Sequence, residues 1–147
     1  MKKRRVHKVD IRTIAEQLIA DCENNASEWA KVVALCGDLG AGKTTLTKSV
    51  ARVLGIKIEV TSPTFVIEKI YGIPKNTKSR FSRLVHIDAY RLDSGRELDV
   101  LGWHEIVNDP NNIIFVEWAE NVKESLPEDT IWVKLTHVDD TIREIEW

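Results

Sequence analysis

The chain has 147 residues, 43% hydrophobic and 30% charged, which suits a single globular domain over 1–147 and argues against disorder. Twenty-one Lys and Arg stand against 23 Asp and Glu, and a net charge of −2 excludes a global electrostatic case for nucleic-acid binding. Two cysteines (Cys22, Cys36) and four scattered histidines exclude a disulfide framework and a Cys/His metal site; with no signal-peptide core and no run near the ~18 apolar residues of a membrane span, the chain reads as cytoplasmic.

After the basic start 1–5, Asp10 is placed to cap a helix with apolar residues at Ile11, Ile14, Ala15, Leu18, Ile19 and Cys22. Val32-Val33-Ala34-Leu35-Cys36 is an unbroken apolar run, the pattern of a buried parallel strand. A glycine-rich turn follows, then a helix predicted from Thr44 to Leu54 and closed by Gly55. The β-branched and aromatic stretches 58–61 and 65–71 are predicted strands, and 72–82 a polar loop. A strand at 84–88, a short helix at 96–101, a turn at 109–112 and a strongly apolar strand at 113–116 come next. The tail alternates apolar and polar residues about Asp139-Asp140, which predicts an antiparallel hairpin from 130 to 147. The composite is an α/β fold of the three-layer P-loop NTPase kind, its central sheet mostly parallel with antiparallel additions.

Strand, glycine turn and helix bracket the motif Gly-x4-Gly-Lys-Thr, complete in Gly37, Asp38, Leu39, Gly40, Ala41, Gly42, Lys43 and Thr44. Its fixed positions coincide by chance in roughly one chain of this length in a few hundred. Glycines let backbone N–H groups turn inward around phosphate oxygens, and the helix N-terminus adds partial positive charge. Lys43 is the expected partner of the β- and γ-phosphates, Thr44 the hydroxyl ligand of Mg²⁺, and Thr45 a donor to the α-phosphate. Hydrolysis of ATP also needs an acid at a neighbouring strand end. Glu117 ends the strand 113–116 and Asp88 the strand 84–87; the strand before Glu117 reads as the more buried, so Glu117 is expected at the metal and Asp88 at the attacking water. Thr61-Ser62-Pro63-Thr64 occupies the place of a γ-phosphate sensor, although an ordinary Ser-Pro turn explains it nearly as well.

These segments, with His86-Ile87-Asp88-Ala89-Tyr90-Arg91-Leu92, Gly102-Trp103-His104-Glu105 and Glu117-Trp118, occur together in an order that resembles the bacterial TsaE (YjeE) family. The resemblance runs from about residue 10 to 127. It implies an ATPase acting with Mg²⁺ in the formation of N6-threonylcarbamoyladenosine at position 37 of tRNA. It further implies partnership with the TsaB–TsaD heterodimer, with TsaC upstream and tRNA reached indirectly. Carried over, the metal ligands fall on Thr44 and Glu117, the essential acid on Asp88, and a nucleotide-sensing switch on Thr64. Adenine contacts around residues 10–13 and at Arg143 are implied as well.

Other features have plainer readings. Lys75, Lys78, Arg80 and Arg83 around Phe81 fit a solvated hairpin tip better than an RNA contact, and His86, on the same face as Asp88, fits packing or a hydrogen bond better than a proton shuttle. Trp103 and Trp118 are candidates for a partner surface. Asp99-Val100-Leu101-Gly102 imitates a GTPase motif, but no Asn-Lys-x-Asp follows to read guanine. The alternatives to an ATPase are a small-molecule kinase, for which Arg91 and Arg96 are the central lid candidates, and a nucleotide-gated binding module with little hydrolysis.

Overall fold

In the computed structural model, which describes residues 1–61 and 67–147, the elements follow in chain order. They are β1 (Lys3–His7), α1 (Ile11–Asn24), β2 (Lys31–Cys36), α2 (Lys43–Val53), β3 (Glu68–Gly72), β4 (Arg83–Asp88), α3 (Trp103–Val107), β5 (Asn112–Glu117), β6 (Ile131–His137) and β7 (Ile142–Glu146). Short 3₁₀ turns occupy Lys8–Asp10, Gly95–Leu101 and Ala119–Ser125. The strands form one seven-stranded sheet in the order β1-β7-β6-β2-β5-β4-β3. β6, β2, β5 and β4 run parallel, while β7 and β1 extend one edge antiparallel and β3 the other.

β2 and β5 lie inside the sheet with both faces covered, which is why their sequences are apolar without alternation. Alternate residues feed two cores. Val33, Leu35, Leu84, Ile113, Phe115, Val133 and Leu135 pack under Ile14 and Leu18 of α1 and Leu46 and Val50 of α2. Val32, Ala34, Val85, Ile87, Ile114 and Val116 face the other way, onto Leu98, Trp103, Ala119 and Val122. The result is the three-layer P-loop fold. Leu46 is wholly buried, and truncating such a side chain to alanine costs about 2–5 kcal/mol.

Local chemistry departs from the sequence reading in several places. Asp10 makes no side-chain cap; the chain enters α1 through a 3₁₀ turn whose Val9 amide donates to His7 Nδ1 at 3.3 Å. Residues 58–61 form no strand: Ile58 is 73% exposed, and only Val60 turns into the core. The predicted strand 65–71 is displaced to Glu68–Gly72, and its start, with Thr64, lies outside the described residues. The helix at 96–101 is a 3₁₀ turn fixed by a capping box between Ser94 and Glu97.

The loop between β3 and β4 is not a loose hairpin tip. Phe81 is buried, and the Arg80 guanidinium lies 4.1 Å over its ring. Arg80 Nη2 donates to the Cys22 carbonyl at 3.0 Å, and Arg83 pairs with Asp109. Two of the four cations in the basic cluster are therefore tied to the fold. Trp103 is also core, 4% exposed, with Nε1 donating to the Ser125 carbonyl, so it supplies no partner surface. The tail hairpin is as expected: Asp139 Oδ1 accepts from the Thr141 and Ile142 amides at 2.7 and 2.8 Å, and these bonds hold its carboxyl below the usual range.

Candidate functional site

The motif 37–44 forms the bend from the end of β2 into α2. Gly37 has φ of +147°, and a Cβ built there would fall closer than 3.0 Å to the Leu135 carbonyl oxygen on β6. Only glycine passes that strand so closely. Gly42, at φ +105°, ends the bend, and Leu46 N donates back to its carbonyl at 2.9 Å. The first amides of α2, at Lys43, Thr44 and Thr45, thus have no partner within the helix and form a ready anion site.

Register brings the acids to this bend. Asp88 and Glu117 face one another as the last residues of β4 and β5, and Leu35 of β2 is the neighbour of Glu117 on its other side. Alternation from Leu84, Ile113 and Phe115 puts both carboxylates on the face that carries α2. Glu117 Oε1 accepts the Thr44 hydroxyl at 2.7 Å, and His86 Nε2 lies 2.9 Å from the same oxygen. Asp88 Oδ1 accepts from the Tyr90 amide at 3.0 Å.

Lys43 is 5% exposed, and its ammonium donates to the carbonyls of Gly37 and Asp38 at 2.5 and 3.0 Å. It also sits 4.1 Å over the Trp118 ring, which in turn packs on Tyr90 at 5.0 Å between centroids. Burial pushes the Lys43 ammonium below its usual range, with Glu117, Glu120, Asp88 and Asp38 acting in opposition. A cation enclosed in this way, among acids and beside a helix N-terminus, suits a ligand that is itself highly anionic.

These groups line a cavity of about 560 Å³. Its wall includes Leu39, Gly40, Ala41, Gly42, Lys43, Thr44 and Thr45 from the bend, and Asp88 and Glu117 from the strand ends. Gly37 and Asp38 stand behind the wall, where their carbonyls hold Lys43. Leu39, at the tip of the bend, is 89% exposed. Arg143 reaches the cavity from β7, held by the Asp139 carbonyl at 2.6 Å and 3.5 Å from that of Gly40. Of residues 10–13 only Ile11 lines the wall, joined by Lys8.

Sequence reasoning missed Lys8, Tyr90 and Leu135 as lining residues and assigned Trp118 to a partner surface. Only tertiary packing places them. Arg91 and Arg96 line no part of this cavity, and Val100 of the GTPase-like stretch is 88% exposed.

The donor set is consistent with magnesium: a hydroxyl and a carboxylate within 2.7 Å of each other, both hard oxygen ligands. Among the described residues, no group of three His, Cys, Asp or Glu converges to hold a metal alone.

A family profile described as "Threonylcarbamoyl adenosine biosynthesis protein TsaE" matches residues 7–145. A relative from Streptomyces coelicolor, named tRNA threonylcarbamoyladenosine biosynthesis protein TsaE, is 40% identical over 121 residues, 78% of this chain and 74% of its own. A relative of the same name from Haemophilus influenzae is 38% identical, over 82% of this chain and 71% of its own. The crystal structure of YdiB from Bacillus subtilis superposes with a TM-score of 0.70 at 32% identity, covering 98% of this chain and 82% of YdiB.

Proposed function

The chain belongs to the TsaE family, and on that premise we propose that it binds and slowly hydrolyses ATP with Mg²⁺ during tRNA threonylcarbamoyladenosine formation. The observation that carries the reading is the Thr44–Glu117 hydrogen bond at the mouth of a complete phosphate bend, with Asp88 on the adjoining strand end. The α2 amides and Lys43 bind the phosphates, and Thr44 and Glu117 hold the ion. Magnesium, when bound, neutralises charge developing on the β- and γ-phosphate oxygens. Asp88, one strand further from the bend than Glu117, orients the attacking water and takes up its proton on the carboxylate. Trp118 covers Lys43 and, with Tyr90 packed on it, limits bulk water there.

The TsaB–TsaD heterodimer is the proposed partner, with TsaC supplying threonylcarbamoyl-AMP upstream and tRNA reached only through that complex. The Thr64 segment is proposed as the switch that senses the γ-phosphate. A small-molecule kinase is disfavoured because Arg91 and Arg96 stand outside the cavity. Cytoplasmic placement accords with the family's tRNA chemistry, and among the described residues no helix is long and apolar enough to cross a membrane.

The test is phosphate release by the purified chain, with and without TsaB–TsaD, for the native protein, Lys43→Ala and Glu117→Ala. Release should rise with the heterodimer and fall at least ~100-fold in both variants. Unchanged ATP affinity in Lys43→Ala refutes the cradle, and unchanged turnover in Glu117→Ala refutes the metal assignment. Release seen only when a metabolite accepts the phosphate would establish the kinase instead.

A further inference from the structure

The buried histidine of β4 has no part in the chemistry proposed so far. His86 is wholly shielded from solvent, and its Nδ1 is buried with no hydrogen-bond partner among the described residues. The other ring nitrogen, Nε2, lies 2.9 Å from Glu117 Oε1, the same oxygen that accepts from Thr44. A carboxylate oxygen only accepts, so the ring proton is assigned to Nε2 and the Nδ1 lone pair faces the core. Buried ring nitrogens are ordinarily both satisfied. Here, among the described residues, only the one that faces Glu117 is.

Register accounts for the contact. His86 pairs with Phe115 and Asp88 with Glu117, so the ring reaches Glu117 across the diagonal from deeper in the sheet. The carboxylate needs such an anchor because it has a competitor. Glu117 is the acid that acts most strongly on the Lys43 ammonium, and a glutamate side chain has enough free torsions to turn toward that charge. Thr44 alone gives it one hydrogen bond; Thr44 and His86 together fix Oε1 from two directions.

We propose that His86 is a positioning residue: its Nε2–H holds the Glu117 carboxylate against Thr44, in the orientation that binds the metal ion, and away from Lys43. The inference rests on the magnesium reading above. Outer partners of metal ligands typically contribute 10–100-fold to metal affinity.

The experiment is calorimetric titration of ADP into the full chain, with excess Mg²⁺ and with EDTA, for the native protein, His86→Leu and His86→Gln. Glutamine places an amide N–H near the former Nε2, whereas leucine fills the volume without a donor. In EDTA all three should bind ADP within about twofold of each other. The enhancement by Mg²⁺ should fall 10–100-fold in His86→Leu and return to within about threefold in His86→Gln. Should His86→Leu fail to fold, His86→Asn, polar but too short to reach Glu117, takes its place and should behave as leucine would. A native protein whose ADP affinity ignores Mg²⁺ overturns the magnesium reading itself. A native enhancement kept in full by His86→Leu overturns only the role of His86. Equal loss in EDTA and in Mg²⁺, or a glutamine no better than leucine, also overturns it.

Discussion

Replacing Gly37 and Gly40 separately by alanine tests whether the bend is held by β6 or merely flexible. Both glycines have positive φ, +147° and +78°, so both substitutions strain the backbone by about 1–3 kcal/mol. They differ in surroundings. Nothing lies within 4 Å of a Cβ at Gly40, whereas a Cβ at Gly37 meets the Leu135 carbonyl oxygen closer than 3.0 Å and Ala41 Cβ at 3.1 Å. The Leu135 carbonyl cannot yield alone, because Leu135 is paired with Ile145 in the neighbouring strand. Overpacking of that kind adds about 1–3 kcal/mol, so Gly37→Ala should cost about 2 kcal/mol more than Gly40→Ala. At a urea slope of about 1–3 kcal/mol per molar, its unfolding midpoint should lie roughly 1 M lower. ADP affinity should fall with it, since a bend pushed off β6 carries the Lys43 carbonyl partners with it. Coincident midpoints for the two variants would refute the claim that β6 shapes the bend.

Arg80→Ala should cost about 1–3 kcal/mol in urea unfolding, because it removes the guanidinium that bonds the Cys22 carbonyl and strips cover from Phe81, while Lys75→Ala should stay within about 0.5. Equal effects would return the cluster to the solvent. Burial raises the Glu68 carboxyl above its ordinary 4.5, so its charged form is disfavoured in the fold. That favourable term is complete below the unfolded value and is lost as pH rises through the raised one. Glu68→Gln should therefore unfold at higher urea than the native chain at pH 7 and at the same urea near pH 3; a difference that persists at pH 3 would contradict it. Burial pushes the thiols of Cys22 and Cys36 up to about 12, so iodoacetamide at pH 8 should alkylate the folded chain roughly 100-fold more slowly than the unfolded chain. Rapid labelling of Cys36, which is half-buried, would contradict the raised thiol.

What the sequence disclosed was what short range determines. The phosphate bend, β2, β5, α2 and the tail hairpin are each specified by residues within a few positions of one another, and all lie where periodicity and glycines put them. β1 escaped notice because its residues Lys3, Arg4 and Arg5 show no apolar alternation. It is an edge strand held by backbone pairing to β7 and by ion pairs of Lys3 and Arg5 with Glu144. Basic residues there also deter pairing with another chain. The helix α3 and the turn Ala119–Ser125 are too short for a 3.6-residue period to register. Trp118 was not expected at the cavity, for another reason. Its backbone turns to φ +55°, which folds the ring back over Lys43, and a non-glycine residue gives no warning of that in the sequence.

The proposed division of labour between the two acids draws on the sheet order as well as on the sequence. Read along the chain, Asp88 and Glu117 differ only in how apolar their strands are: each ends an apolar strand and precedes a small loop. Burial does not separate them, at 5% and 3% exposed. The order β2-β5-β4 does, because it seats Glu117 one strand from the phosphate bend and Asp88 two. Adjacent strands lie about 4.8 Å apart, so Glu117 meets the Thr44 hydroxyl directly while Asp88 stands about 10 Å from β2. In the proposed arrangement a divalent ion at Thr44 would also be held by Glu117, with Asp88 on the adjoining strand end. Exchanging β4 and β5 in the sheet would exchange the two roles with every motif unchanged.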